Sequence, residues 1–334
     1  GTLTKTFTNG ETASISLTSS VLAPVVSVTK EVPQTGVTNN NWDVSSTTEN
    51  YTRLDSAAAT TLDWVGFDVS TASFVNSFSV SAQEANTHGI AFNTDGTKMF
   101  VVGSSGDDVN EYTLSTGFDI STASYSQNFS VAAQETNPYG IAFNIDGTKM
   151  FIVGWDGDDV NEYTLGTGFD VSTATYSQNF SVSAQDTAPT GIAFNTDGTK
   201  MFIVGFTGKD VNEYTLGTGF DVSTASYVRN FSVSAQDTIP VGIAFNNNGT
   251  KMFVVGATND AVFEYTLSTG FDVSTATYSQ NFSVSAQETT PTGIAFNSNG
   301  TKMFVVGEAG NAVYKYNIPE TLQLGTGSFA SADV

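Results

Sequence analysis

Cysteine is absent from the 334 residues, which excludes a disulfide framework, a thiolate metal site and a cysteine nucleophile. Stability must therefore come from packing and hydrogen bonding alone. Histidine is limited to His88, so no histidine pair exists for metal binding or acid–base work. Basic residues are scarce as well: 11 Lys and Arg stand against 33 Asp and Glu, a net charge of −22. Nucleic-acid binding depends on cations that neutralise phosphates, so DNA and RNA are not expected as partners. The acidity reads instead as solubility and tolerance of salt. No apolar run approaches the roughly 20 residues a spanning helix needs, and membrane insertion is not expected. The chain opens at Gly1 with no signal-peptide pattern, so a processed product or a window of a longer polypeptide is expected.

What the chain does have is repetition, which has to be read before anything else. Gly89, Gly140, Gly191, Gly242 and Gly293 each open the string Gly-Ile-Ala-Phe, every one 51 residues after the last. Gly66, Gly117, Gly168, Gly219 and Gly270 open Gly-Phe-Asp at the same spacing. Each unit holds four strand-like runs. In the second unit these are residues 140–143, 149–153, 160–165 and 176–182. An Asp-Gly or Asn-Gly turn between the first two supplies the backbone of a tight hairpin. The second run, Lys149-Met-Phe-Ile-Val153, is apolar on both faces, as expected of a strand sandwiched between sheets. No segment carries the apolar spacing of a sizeable helix.

Four antiparallel strands repeated at this period predict an all-β, five-bladed β-propeller. The strand order also predicts how the ring shuts. A fourth-type strand at Phe74 to Val80 precedes every first-type strand, and the third-type strand at Val313 to Asn317 has no fourth strand after it. Pairing these two orphans closes the ring and removes exposed edges. The propeller is expected over 63–317, after a Thr/Ser-rich β arm or small β module at 1–62 for anchoring or assembly. Within that arm, strand-like stretches run from Thr2 to Thr8, Ala13 to Thr18 and Val25 to Thr29, and Asn39 to Asn41 lead into Trp42. Residues 318–334 read as an exit linker to further sequence or a partner.

The run Pro189-Thr-Gly-Ile-Ala-Phe-Asn-Thr-Asp-Gly-Thr-Lys-Met-Phe-Ile-Val-Gly205 resembles the repeats of YVTN- and NHL-type β-propellers. Those repeats likewise order a Gly-[Ile/Val]-Ala strand, an Asp-Gly hairpin and a second apolar strand. Near-perfect tandem blades with Thr/Ser-rich flanks and no cysteine also resemble bacteriophage structural proteins and surface proteins of marine microbes. The resemblance implies a fold and says little about activity, because propellers host enzymes, lectins and scaffolds alike.

Comparing the repeats with one another shows where the chain is free to specialise. One variable window precedes the first strand of each blade and contains His88, Tyr139, Thr190, Val241 and Thr292. The other joins second and third strands and contains Trp155, Asp156, Phe206, Lys209 and Glu308. In an up-and-down blade both windows emerge on one face, so His88, Tyr139, Trp155, Asp156, Phe206, Lys209, Val241 and Glu308 are the candidate ligand-binding residues. Aromatics on loops suit stacking on sugar rings or gripping a protein hot spot. A lone loop histidine reads as an exposed polar residue rather than a catalyst.

Glu84, Glu135, Asp186, Asp237 and Glu288 recur after Ala-Gln and are the candidate metal ligands. Facing a channel, they would hold Ca2+ or another hydrated cation. The preferred reading has each carboxylate accepting backbone N–H bonds and fixing its turn, with no cofactor. The acidic loop of Asp156, Asp158 and Asp159 lacks a full calcium ligand set. The hairpin residues Asp95, Asp146 and Asp197 become Asn248 and Asn299, which a turn tolerates and a charged ligand does not. The leading expectation is a non-enzymatic virion or extracellular surface protein such as a fibre, spike or decoration. Its propeller face would bind a host glycan or surface protein, and its flanks would bind other subunits of the assembly. The alternatives are an architectural spacer and a metal-dependent lactonase- or glycosidase-type propeller.

Overall fold

The structure, a computed structural model, describes residues 2–6, 12–20, 23–31, 62–319 and 321–324. The chain divides into two compact units, Gly66–Pro319 and a unit formed by Gly1–Val65 with Glu320–Val334. The larger unit is a five-bladed β-propeller of four antiparallel strands per blade. In the second blade these are Pro138–Phe143, Lys149–Gly154, Asp159–Leu165 and Ala174–Ser181. The first strand lies nearest the axis and the fourth is outermost, with Ile141 opposite Ile152, Phe151 opposite Glu162 and Asn161 opposite Asn179.

The second strand explains where the core lies. Met150, Phe151, Ile152 and Val153 are all fully buried. Successive strand residues point to opposite faces. Met150 and Ile152 accordingly pack with Phe100 and Val102 of the preceding blade, while Phe151 and Val153 pack with Ile192 and Met201 of the following one. The core is thus a set of sheet-on-sheet interfaces between blades, and a strand shared by two of them has no polar face to spare.

At the axis the five Gly-Ile-Ala-Phe glycines meet. A Cβ on Gly140 would lie 3.1 Å from Gly191 Cα, and one on Gly191 would lie 3.2 Å from Gly242 Cα. The same approach joins Gly242 to Gly293 and Gly293 to Gly89. At the opposite end of the inner strands, Phe169 adopts φ 57°, a backbone conformation that L side chains seldom take. Its ring covers Gly147 of the hairpin turn and packs 5.3 Å from Phe143, which holds the loop in that conformation. All five blades repeat this arrangement, with Phe67, Phe118, Phe220 and Phe271 in the other four.

The ring shuts as the sequence predicts. Ser73–Ser79 pairs antiparallel with Ala312–Asn317, placing Phe78 opposite Val313 and Phe74 opposite Tyr316. The N-terminal contribution is larger than a single strand, because Phe67 N–H also donates to Gly300 O of the same closing blade. In the smaller unit, Thr2–Thr6, Thr12–Ser20, Ala23–Glu31, Leu62–Val65 and Thr321–Leu324 form one five-stranded sheet in that order. The segment expected to be an exit linker therefore begins with a strand, and its Leu322 pairs with Trp64. The expectation for Asn39 to Trp42 lies outside the described residues.

Replacing Gly191 by Ala forces a methyl group to 2.8 Å from Val204 Cγ1 and 2.9 Å from Val241 O. Overpacking of this kind costs about 2 kcal/mol. Thermal unfolding of Gly191→Ala should show a melting temperature lowered by roughly 4–8 °C. An unchanged transition would mean that the axis is looser than described.

Candidate functional site

The variable face is built on a repeated scaffold. Each crossover from one blade's outer strand to the next blade's inner strand carries Ala-Gln-Glu or Ala-Gln-Asp. The glutamine accepts from a buried tyrosine hydroxyl of the next blade, as Gln134 does from Tyr163 at 3.3 Å. The acidic residue that follows joins the two variable windows. Glu135 accepts the N–H groups of Asn137, Asp156 and Gly157 at 2.8, 3.2 and 3.1 Å. Glu84, Asp186, Asp237 and Glu288 do the same in their own blades. These five side chains are buried, and their oxygens are occupied by their own loops.

The cation-ring arrangement is therefore not what the structure displays. The axial cavity is lined by the inner-strand glycines and isoleucines with Tyr139, Thr190, Val241 and Thr292, and by none of the five carboxylates. Its volume is about 20 Å³, enough for a single water. Among the described residues, no group of three or more acidic or histidine side chains is placed to hold a metal ion.

Around the mouth of that cavity the variable residues form an arc. The His88 and Tyr139 rings stack at 3.7 Å with an interplanar angle of 8°. Tyr139 stacks on Trp155 at 5.1 Å, and Trp155 meets Phe206 at 5.8 Å, tilted by 56°. Four candidates drawn from three blades thus make one continuous surface, with Tyr139, Trp155 and Phe206 half-buried. Trp155 Nε1 is buried and has no acceptor among the described residues. Burial and the charge of Glu308 push the Tyr139 hydroxyl up to about 12, so it stays protonated and able to donate.

His88 departs from expectation, being fully buried rather than exposed. Its Nδ1 lies 2.9 Å from Pro138 O, which fixes Nδ1 as the protonated nitrogen. Its Nε2 lies 3.1 Å from Glu308 Oε1, a close contact that makes no hydrogen bond. Glu308 thereby closes the arc at one end. Thr190 and Thr292, at the positions equivalent to His88, donate to Pro240 O and Thr87 O of the neighbouring blade. Sequence comparison placed them in the variable window without showing that this position latches one blade to the next.

The remaining candidates stand apart from the arc. Val241 is buried at the axis beside Thr190. Asp156 is exposed and accepts from Thr136 Oγ1 at 2.5 Å. Lys209 holds φ 54° in its turn, and its carbonyl accepts from Val233.

No protein-family model matches the chain, and no curated protein matches its sequence. Solved structures are similar in outline. A functionally unknown protein from Desulfotomaculum acetoxidans is 13% identical over 71% of this chain and 68% of its own, with a TM-score of 0.42. A candidate 6-phosphogluconolactonase from Bacteroides uniformis is 12% identical over 71% of this chain and 68% of its own, at 0.43. The Swd1 β-propeller domain of Myceliophteria thermophila is 7% identical over 74% of this chain and 99% of its own, also at 0.43.

The carboxylates of this face fix the sign of the pH dependence. Burial, then Asp108 and Asp156, raises Asp107, and burial, then Asp186 and Asp156, raises Asp158. Burial also raises Glu135, Asp159 and Asp210. A raised carboxylate opposes folding while ionised, so stability grows as pH falls from neutrality through these groups. On the opposite face Ser172 holds Asp170 below the usual range, and Thr148 does so for Asp146. Their contribution is present above the unfolded value near 3.9 and is lost as pH falls through the folded one. Melting temperature measured against pH should therefore peak between about pH 4 and 6 and drop on both sides. A maximum above neutrality would contradict this assignment.

Proposed function

We propose that this protein is a non-enzymatic surface component, a fibre, spike or decoration of a virion or cell exterior, whose propeller face binds a glycan. The observation that carries the reading is the continuous Tyr139–Trp155–Phe206 surface, three aromatics that no other blade matches at both of its positions. The equivalent positions hold His88, Thr190, Val241 and Thr292 in one window and Ser104, Ala257 and Glu308 in the other. A sugar offers an apolar face to aromatic rings and hydroxyls to nearby polar groups, here the Tyr139 hydroxyl and Glu308. The unsatisfied Trp155 N–H costs about 1–3 kcal/mol, which packing alone gives no reason to keep. Recognition from rigidly held loops needs no machinery at the axis, where the cavity is too small for a sugar lactone. In this reading the flanking segments join the propeller to other subunits of the assembly.

A second reading has the rings serving only as packing between the second and third blades, which their mutual stacking favours. The double variant Trp155→Ala with Phe206→Ala separates the two on a glycan array followed by titration of a hit. Glycan recognition requires at least a tenfold loss of affinity with the β-sheet fold retained. A lowered melting temperature with no glycan bound by the unaltered protein would leave packing as the role of these rings.

A further inference from the structure

Four of the five seams between blades, on the face opposite the aromatic arc, carry one network around a buried glutamate, with Arg229 in place of the glutamine in one of them. Lys98 Nζ lies 2.8 Å from Glu111 Oε1 and donates to Phe169 O of the next blade at 2.6 Å. Glu111 Oε2 accepts from Val171 N–H of that blade at 3.1 Å and from Gln127 Nε2 at 2.9 Å, and Gln127 also donates to Asp170. Lys149 with Glu162, Lys200 with Glu213 and Lys251 with Glu264 repeat the pair at 2.7 to 2.8 Å. In each case the glutamate also reaches an N–H of the next blade, that of Val222, Val273 or Val69.

The closing seam breaks the pattern. Phe304 faces Lys315 in the register where Phe100 faces Glu111, so Lys315 occupies the glutamate position. The glutamine position holds Asn76, paired with Lys315 as Gln127 is with Glu111. Lys302 and Lys315 now occupy the places of the lysine and the glutamate, and Asp119 lies 3.6 Å from Lys315 Nζ. Lys302 has no ion-pair partner among the described residues and sits 6.0 Å above the Phe118 ring. Burial and the charge of Lys315 both push Lys302 down. Lys315 is 8% exposed, and a lysine has no acceptor to offer the Ile120 N–H, the counterpart of the Val171 N–H. Asn76 Oδ1 is buried without a donor, although the amide turned by half would present Nδ2 as Gln127 does.

We infer that the closing seam binds a small free carboxylate or an oxyanion of similar size between Lys302 and Lys315. The anion supplies from solution the group that Glu111, Glu162, Glu213 and Glu264 supply from the chain. In the other four seams a carboxylate stands next to the neighbouring aspartate, since Asp170, Asp221, Asp272 and Asp68 occur beside those glutamates. The closing seam alone holds two cations against one carboxylate, within a chain of net charge −22. An anion there relieves the repulsion between buried Lys315 and half-buried Lys302 and ties the last blade to the first.

The test is thermal unfolding of the full chain titrated with sodium formate, beside Lys315→Glu, which restores the internal carboxylate. General screening of an acidic protein acts on both alike. The unaltered protein should gain about 3 °C more than Lys315→Glu, saturably, at tenfold excess over its dissociation constant. Lys315→Glu should start the higher of the two in formate-free buffer. Parallel responses would overturn the assignment. If Lys315→Glu does not fold, Lys302→Met takes its place: loss of the saturable response supports the site, and a full response refutes it.

Discussion

Everything in this propeller is drawn around the contact of five glycines at its axis. Because Gly89, Gly140, Gly191, Gly242 and Gly293 carry no Cβ, the inner strands approach until one glycine's missing side chain would touch the next. That approach leaves an axial cavity holding little more than one water. It also brings the second strands of successive blades close enough to interleave Met150 and Ile152 with Phe100 and Val102. A ring drawn this tight has no room for chemistry at its centre.

The two faces are held by different physics. On one, Lys98, Glu111, Gln127 and Asp170 form a charge-assisted network that crosses from blade to blade. On the other, each crossover uses a carboxylate such as Glu135 to gather three backbone N–H groups within a single blade. Backbone donors are indifferent to side-chain identity, so the residues between them are free to change. That explains how Trp155, Phe206, Ala257 and Glu308 occupy one position without disturbing the loop. The network face has less of this freedom, because its charged partners are side chains that must change together.

The fold was legible because repetition exposes strand order and register together. The spacing of Gly-Ile-Ala-Phe predicted five blades, and the orphan strand at Phe74 to Val80 predicted the pairing with Val313 to Asn317. The candidate site was legible only in part. Comparing repeats shows that Tyr139, Trp155 and Phe206 are unusual, but not that residues 16 and 51 positions apart stack into one surface. The burial of His88 was invisible for the same reason. Its environment is made by Pro138 of the next blade and by Glu308 of the last, which lies beside it only because the ring closes.

Closure also explains why departures from the repeat collect where they do. Every blade but the last takes its outer strand from the residues that follow its third strand. The last blade instead borrows residues from the other end of the propeller, so Asn76 faces Lys315 where Gln127 faces Glu111. Replacing only the glutamate would leave a glutamine with only the neighbouring aspartate to hold, and replacing only the glutamine would leave a glutamate short of a donor. The two substitutions occur together on opposite strands of the one seam that joins distant parts of the chain. A buried ion pair broken on one side alone is strongly destabilising. The seam therefore needs its lysines partnered, and Asp119 at 3.6 Å from Lys315 leaves Lys302 as the group still to be balanced.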